Sequence, residues 1–346
     1  MRRFTYRHLA ALAIPVGALL LPTPPASGAT ITVTGTGDAV AADGTVTLRE
    51  AMTSINNGAS VNADVVPAGA YGSNDGIVFD IPGTGIQTIA PGSALPAITK
   101  PVTVDGYSQP GSSPNTLAAG DNAVLKIDLT GVNHGGSGVG LLIQTNNLTV
   151  RGLAIHFFNS PIQIMGGTGN RIVGNFIGVD PTGSVAGGPN TTHSIRLSNS
   201  SNNTIGGPAP ADRNIISGAL ANGIDIASNS SGTVVQGNYI GTNAAGTAAI
   251  PNGTGVLVGV GGNNNAIGGT AAGAGNLISG NRAYGINVAL VSNISNVIQG
   301  NRIGTDVTGL APLGNGMVGF GSAGIVVGGT NNTIGGTAPG AGNVIA

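Results

Sequence analysis

The sequence predicts an all-β chain coiled as a right-handed parallel β-helix, a solenoid with three short strands per turn and an N-terminal capping helix. Three observations carry that expectation. The phrase GNFIGVDPTG (174–183) returns as GNYIGTNAAG (237–246) and GNRIGTDVTG (300–309), each copy 63 residues after the one before. A strand of the form GIxV recurs around Ile162, Ile195, Ile224, Val256, Ile286 and Ile325, at intervals of 33, 29, 32, 30 and 39 residues, so one turn takes about thirty residues. The connections between apolar segments run from two to ten residues. That is too short for helical crossovers, so each strand must pair in parallel with its equivalent one turn on. A propeller would need tight hairpin turns within each blade, and these are absent from the positions that would require them.

Taken in order, residues 1–29 have the layout of a secretory signal peptide. Arg2, Arg3 and Arg7 precede an apolar run from Leu9 to Leu21, and small residues follow around Ala26 to Ala29. Cleavage is expected after Gly28 or Ala29. The residues after Arg2-Arg3 do not extend a twin-arginine pattern, so a Sec-type route to a secreted or cell-surface location is expected. Residues 30–75 hold a strand (TITVTGTGD), a helix and a loop. In TLREAMTSINNG (47–58), Thr47 and Glu50 have capping-box spacing, Leu48, Ala51, Met52 and Ile55 share one face, and Asn57-Gly58 closes the helix. Residues 76–346 read as the β-helix. The last phrase stops at GNVIA where earlier copies run on, so a truncated end with an open final rung prone to edge association is expected.

Composition narrows the function. The chain has no cysteine, so an exported fold must hold together without disulfides. Only 7% of residues are charged and the net charge is −1, which removes the field that nucleic acid or acidic membranes would need. No segment after the leader is long and apolar enough to span a bilayer.

Stacking turns aligned residues into columns. Asn175, Asn214, Asn238, Asn276, Asn301 and Asn343 form one expected ladder, and Asn170, Asn203, Asn265, Asn296 and Asn332 a second, less regular one. The outward GIxV positions, Gln163, Arg196, Asp225, Leu257, Asn287 and Val326, share no chemistry. Arg196 and Asp225 are expected to form a surface ion pair, and His134 and His193 to sit alone in loops.

The candidate site lies upstream. Asp80, Asp105 and Asp128 follow apolar residues at strand ends, 25 and 23 residues apart, so they could stack on one edge, with His156 as a looser continuation. Such a cluster points to Ca²⁺ or to carbohydrate chemistry, with Lys126 or Arg151 as the basic partner. The competing reading has each Asp cap the turn that begins right after it, in DIPG, DGYS and DLTG. Asp180, Asn243 and Asp306 in the repeated phrase read as turn residues, since one carboxylate per loop is too few for Ca²⁺.

With these residues in place, the chain resembles a family of exported bacterial right-handed parallel β-helix proteins with a CSLREA-type N-terminal segment. TVTLREAM (45–52) matches that segment apart from its cysteine and serine positions, and LPAITKPVTVDGYSQPG (95–111), LTVRGLAI (148–155) and NNTIGGTAPGAGNVI look like the family's repeated phrases. The resemblance implies a secreted or surface location and, for most members, no established catalysis. Other parallel β-helix proteins are similar to pectate lyases and polygalacturonases, but the acidic and basic constellation of those enzymes is not recognisable in these repeats. The expected function is therefore an adhesin-like or carbohydrate-binding scaffold with polysaccharide or cell-surface glycan as partner and no cofactor beyond Ca²⁺. The alternative is a polysaccharide lyase or glycoside hydrolase acting at Asp80, Asp105 and Asp128.

Overall fold

The computed structural model describes residues 1, 28–188, 192–288, 290–316 and 321–346. The expected signal peptide falls almost entirely outside the described residues. Within them, three sheets of ten, nine and seven strands run the length of the chain. Strands that neighbour one another in a sheet pair in parallel, and the sheets are visited in rotation as the chain coils. This is the parallel β-helix that the repeats predicted.

Each sheet places at least one β-branched or leucine side chain per turn on the axis. Ile162, Ile195, Ile224, Val256, Ile286 and Ile325 stack in direct register on the seven-stranded sheet. Ile77, Val104, Val150, Ile172, Ile205, Val235, Ile267 and Ile298 do so on the ten-stranded sheet. Leu129, Ile155, Ile177, Ile216, Ile240, Ile278 and Ile303 supply the nine-stranded sheet. Most are fully buried, and burial of each such side chain contributes about 1.5–3 kcal/mol, so the core grows linearly with the number of turns.

The corner between the ten- and nine-stranded sheets is made by the asparagine ladder. Each backbone N–H donates to the next asparagine's Oδ1, from Asn175 to Asn214 (2.9 Å), Asn238 to Asn276 (3.0 Å) and Asn301 to Asn343 (3.0 Å). Each Nδ2 also reaches a carbonyl of the core column, such as Asn214 to Ile172 (2.8 Å) and Asn276 to Val235 (2.8 Å). The side chain thus supplies the partners that the bent backbone cannot, at sites that are almost completely buried. The glycine before it is equally constrained. Gly237 has φ of 67° and Gly300 of 68°, and a Cβ at either would overlap a carbonyl of the preceding turn, Gly207 or Gly269.

The second column is broken once. Asn170 donates to Asn203 (3.0 Å), Asn265 to Asn296 (3.0 Å) and Asn296 to Asn332 (2.8 Å), but the rung between Asn203 and Asn265 carries Thr233. There Asn203 Nδ2 and Thr233 Oγ1 are buried without a partner. A third column, Asn252, Asn281 and Asn315, was not anticipated, and its amides link at 3.0 and 2.8 Å.

The helix Leu48–Asn57 sits against the first strands, burying Leu48, Ala51, Met52 and Ile55 beside Ile31, Val33 and Ile77. Its capping box is formed: Thr47 Oγ1 accepts from the Glu50 N–H, the Thr47 N–H donates to Glu50 Oε2 (2.8 Å), and Gly58 closes the helix at φ 64°. Arg49 grips Asp38 with two nitrogens and reaches the Ser93 and Ala94 carbonyls (each 2.8 Å), tying the helix to the segment that leads into the next turn. The strand Thr30–Val33 pairs with Asp75–Phe79, so the solenoid already begins there. At the other end Ile334, Val344 and Ile345 are about half exposed (50%, 48% and 52%), on a turn stacked from one side.

The repeated loops fold back over the outside of the nine-stranded sheet. Antiparallel bridges Val179 to Ala186, Thr242 to Ala249 and Thr305 to Pro312 shape them. Asp180 Oδ1 accepts from the Ser184 and Val185 N–H groups (3.0 and 3.1 Å), and Asn243 Oδ1 takes the same two bonds in its own copy (3.0 and 3.2 Å). A neutral amide does the carboxylate's work, so these residues turn the chain. Under the loops lies a second apolar cluster including Phe176, Ile215, Tyr239 and Leu277, which stack in register on the outer face.

Candidate binding clefts

Asp80, Asp105 and Asp128 do not converge. Asp105 pairs in register with Arg151 and stands opposite Val78, two residues short of Asp80, so Asp80 and Asp105 are out of step on the ten-stranded sheet. Asp80 is exposed. Asp128 belongs to the strand Ile127–Thr130 of the nine-stranded sheet, on another face of the solenoid. The expected column fails because the spacing of about one turn hid a change of sheet. The three carboxylates cannot share a Ca²⁺ ion, and among the described residues no group of three or more His, Asp or Glu could hold a metal.

Buried Asp128 and half-buried Asp105 each have their own partner. Asp128 Oδ1 lies 2.7 Å from His156 Nε2, and Oδ2 accepts from Thr88 Oγ1 (3.2 Å). His156 Nδ1 meets the Gly187 carbonyl at 2.5 Å, so both ring nitrogens face oxygen acceptors. With side chains only 11% and 12% exposed, this pair fastens the Gly187 turn onto the sheet and presents no free base to solvent. Lys126 Nζ donates to the Thr84 carbonyl (3.1 Å), away from all three carboxylates.

Asp105 does both things weighed for it. Its Oδ1 accepts from the Tyr107 N–H (3.1 Å), capping the short helical turn Gly106–Ser108, while Oδ2 binds Arg151 Nη2 at 2.6 Å. The carboxylate partner Asp105 raises Arg151 above its ordinary range. Around this pair is a cleft of about 320 Å³, walled by Tyr107, Thr149, Arg151, Arg171, Ala211 and Asp212. Tyr107 donates from its hydroxyl to the Gly174 carbonyl (2.7 Å), and burial pushes its phenol well above the usual range, so it is a wall and not a base. Arg171 stands one turn on and diagonal to Arg151, with Asp212 3.7 Å away, too far for a hydrogen bond. The two arginine side chains are 48% and 52% exposed.

A larger cleft of about 470 Å³ lies across the ridge made by segments 114–119 and 208–213, against the nine-stranded sheet. Arg213, Tyr239, Leu277 and Arg302 line it. Arg213 is buried, stacks 4.5 Å over the Tyr239 ring and donates to the carbonyls of Leu117 (3.0 Å), Ala118 (2.9 Å) and Gly120. Tyr239 Oη accepts from the Gly120 N–H (2.7 Å), which completes the pinning of that loop. Asp121, in the same loop, is raised to about 6 by burial. Arg302 is exposed and makes no ion pair among the described residues.

The seven-stranded sheet also differs from expectation. Gln163, Arg196, Asp225, Leu257, Asn287 and Val326 do align in register. The expected contact of Asp225 with Arg196 is present at 3.5 Å, but only the arginine is at the surface, its side chain 40% exposed, while Asp225 is buried. His193 is not isolated in a loop: it opens the strand His193–Ser198, with Nε2 3.4 Å from Asp225 and Nδ1 3.1 Å from Asn222 Nδ2. Burial raises Asp225 to about 6 and, with help from Arg196, lowers His193 to about 4.

Sequence reasoning passed over Arg171, Asp212, Tyr239 and Arg302. A signal was present in the opening phrase: in GNFIG, GNYIG and GNRIG the one letter that changes is the residue pointing out of the nine-stranded sheet, Phe176, Tyr239 and Arg302.

No protein-family model matches the chain, and no curated protein is significantly similar to it. Among solved structures, the chain is similar to the A-module of the Azotobacter vinelandii mannuronan C-5 epimerase AlgE4, at 16% identity over 76% of this chain and 81% of that one, with a TM-score of 0.31. The alginate lyase from Paenibacillus sp. str. FPU-7 gives 13% over 88% and 97% with a TM-score of 0.32, and pectate lyase Pel9A gives 14% over 88% and 78% with 0.33. Values this low transfer no residue role.

Proposed function

We propose that the chain is a secreted or cell-surface β-helix scaffold that binds a polysaccharide bearing acidic groups, without cleaving it. One observation carries the reading. Four of the chain's twelve lysine and arginine residues, Arg151, Arg171, Arg213 and Arg302, line two clefts on either side of one ridge, on a molecule in which 7% of residues are charged. The exposed guanidinium groups of Arg171 and Arg302 have free edges that suit carboxylate or sulfate groups on sugars, Arg151 being paired with Asp105 and Arg213 held by loop carbonyls. Thr149 and Asp212 offer polar groups for hydroxyls. Binding is favoured over cleavage because Asp105 is held by Arg151 and the Tyr107 N–H, and Asp121 is turned into its own loop with Oδ1 on the Ala123 N–H. That leaves Asp212 as the single carboxylate lining the clefts, short of the pair that glycoside cleavage uses. The TLREAM segment fits an exported protein of the CSLREA type, and its LREA letters have a structural use here as cap, core contact and clasp. Among the described residues no helix is long and apolar enough to cross a membrane.

The test is a retention assay of the purified chain on immobilised polyuronates, sulfated glycans and neutral glucans, run beside an assay for released oligosaccharide. Retention on acidic glycans alone, with no product, is expected. Equal retention on neutral glucans would defeat the assignment of partner, and reproducible product release would establish the lyase or hydrolase alternative.

A further inference from the structure

The first backbone donor of the solenoid meets a buried carboxylate. The Ala29 N–H donates to Asp75 Oδ1 at 2.8 Å, and the only other donor to Asp75 shown among the described residues is the Gly72 N–H, at 3.2 Å from each oxygen. Asp75 is 3% exposed and Ala29 is fully buried, and no lysine, arginine or histidine forms an ion pair with Asp75 among the described residues. A carboxylate held by amides alone in the interior is costly, and a cation at hydrogen-bond distance would remove most of that cost.

The Ala29 nitrogen is held in place independently. The Ala29 carbonyl accepts from Gly76 N–H (2.8 Å), and Thr30 exchanges two bonds with Ala68 (2.8 and 2.9 Å). In the sequence, Ala26 and Gly28 supply small residues at the third and first positions before Ala29, the spacing at which a secretory leader is cut. Cutting one residue later would start the chain at Thr30, whose nitrogen already serves Ala68, and would delete the donor to Asp75.

We propose that export processing hydrolyses the Gly28–Ala29 bond, and that the α-ammonium it creates at Ala29 forms a buried ion pair with Asp75 that locks the first rung. Water adds across the peptide bond under a signal peptidase, leaving a carboxylate on Gly28 and an amine on Ala29 that takes up a proton. The lock therefore comes into being only with the mature chain. The inference rests on the export half of the proposal above and not on the clefts.

Two measurements test it. N-terminal sequencing of the chain secreted by an export-competent bacterial host should read Ala29 first. A secreted chain starting at Thr30 overturns this proposal and leaves export standing, whereas a chain retained with its leader overturns both. For the ion pair, mature chain starting at Ala29 is compared with the same chain acetylated on that nitrogen, which keeps an N–H but removes the charge. Hydrogen exchange in Thr30–Val33 should quicken at least about tenfold on acetylation, and the effect should vanish in Asp75→Asn. Equal exchange with and without acetylation in the unsubstituted chain would overturn the lock.

Discussion

Replacing Asn238 with alanine tests the ladder at its centre. Asn238 Oδ1 accepts from the Asn214 N–H (3.3 Å) and Nδ2 (2.8 Å), while its own Nδ2 donates to the Ile205 carbonyl (2.9 Å) and to Asn276 Oδ1 (3.0 Å). Two of the partners keep other bonds after truncation, since Asn214 Nδ2 still holds Ile172 and Asn276 Oδ1 still accepts from the residue-238 N–H. The Asn214 N–H is left stranded and the Ile205 carbonyl loses its side-chain donor, at a site with no exposure. At about 1–3 kcal/mol for each of these two buried groups, the loss should be about 2–6 kcal/mol. Urea unfolding followed by circular dichroism measures the total, and hydrogen exchange should show the opening centred on the turns carrying Asn214 and Asn276. A loss below about 1 kcal/mol would refute the view that the amides hold the corner.

Other outcomes follow from the same structure. Thr233→Asn should repair the broken second column by giving Asn203 Nδ2 a partner, raising stability by about 1 kcal/mol in the same urea assay. Asp180→Asn and Asp306→Asn should change stability by less than about 0.5 kcal/mol, because Asn243 already does this work, and added Ca²⁺ should shift neither melting curve. The His193–Asp225 pair should make stability nearly flat with pH between about 6.5 and 4. Asp225, raised to about 6 from 3.8, adds stability as pH falls through that range. His193, lowered to about 4 from 6.5, loses stability over nearly the same range. Asp225→Asn removes the first contribution, so that variant should lose about 2 kcal/mol more than the unsubstituted chain on going from pH 6.5 to 4, measured by urea midpoints at each pH.

The architecture was legible because stacking writes itself into the sequence at a fixed period. The inward residues of the GIxV strands, the first asparagine ladder and the Thr47–Glu50 cap all depend on contacts that repeat or are local, and each stands where periodicity put it. The candidate carboxylates misled for the complementary reason. Spacings of 25 and 23 residues are near one regular turn, but the early turns are irregular. The residue one turn on from Asp105 is Arg151, 46 residues later, so 23 residues carry the chain only as far as the next sheet, where Asp128 lies. The clefts were illegible because they join residues of different turns and faces: Tyr107 reaches Gly174, and Arg213 reaches Leu117 and Ala118, contacts 67, 96 and 95 residues apart that no period encodes. The burial of Asp225 likewise depends on what covers that strand, which a single outward position cannot reveal.

The most direct test of the binding reading is calorimetric titration of the mature chain with a soluble oligouronate, compared with the Arg171→Ala/Arg302→Ala double variant. Among the described residues neither side chain makes a hydrogen bond to the core, so the fold should survive, as circular dichroism would verify. Losing two charge-assisted contacts of about 1.5–3 kcal/mol each should weaken binding by at least about a hundredfold, and added salt should weaken the unsubstituted chain more than the variant. Equal affinity in the two proteins would contradict the assignment of these clefts as the site.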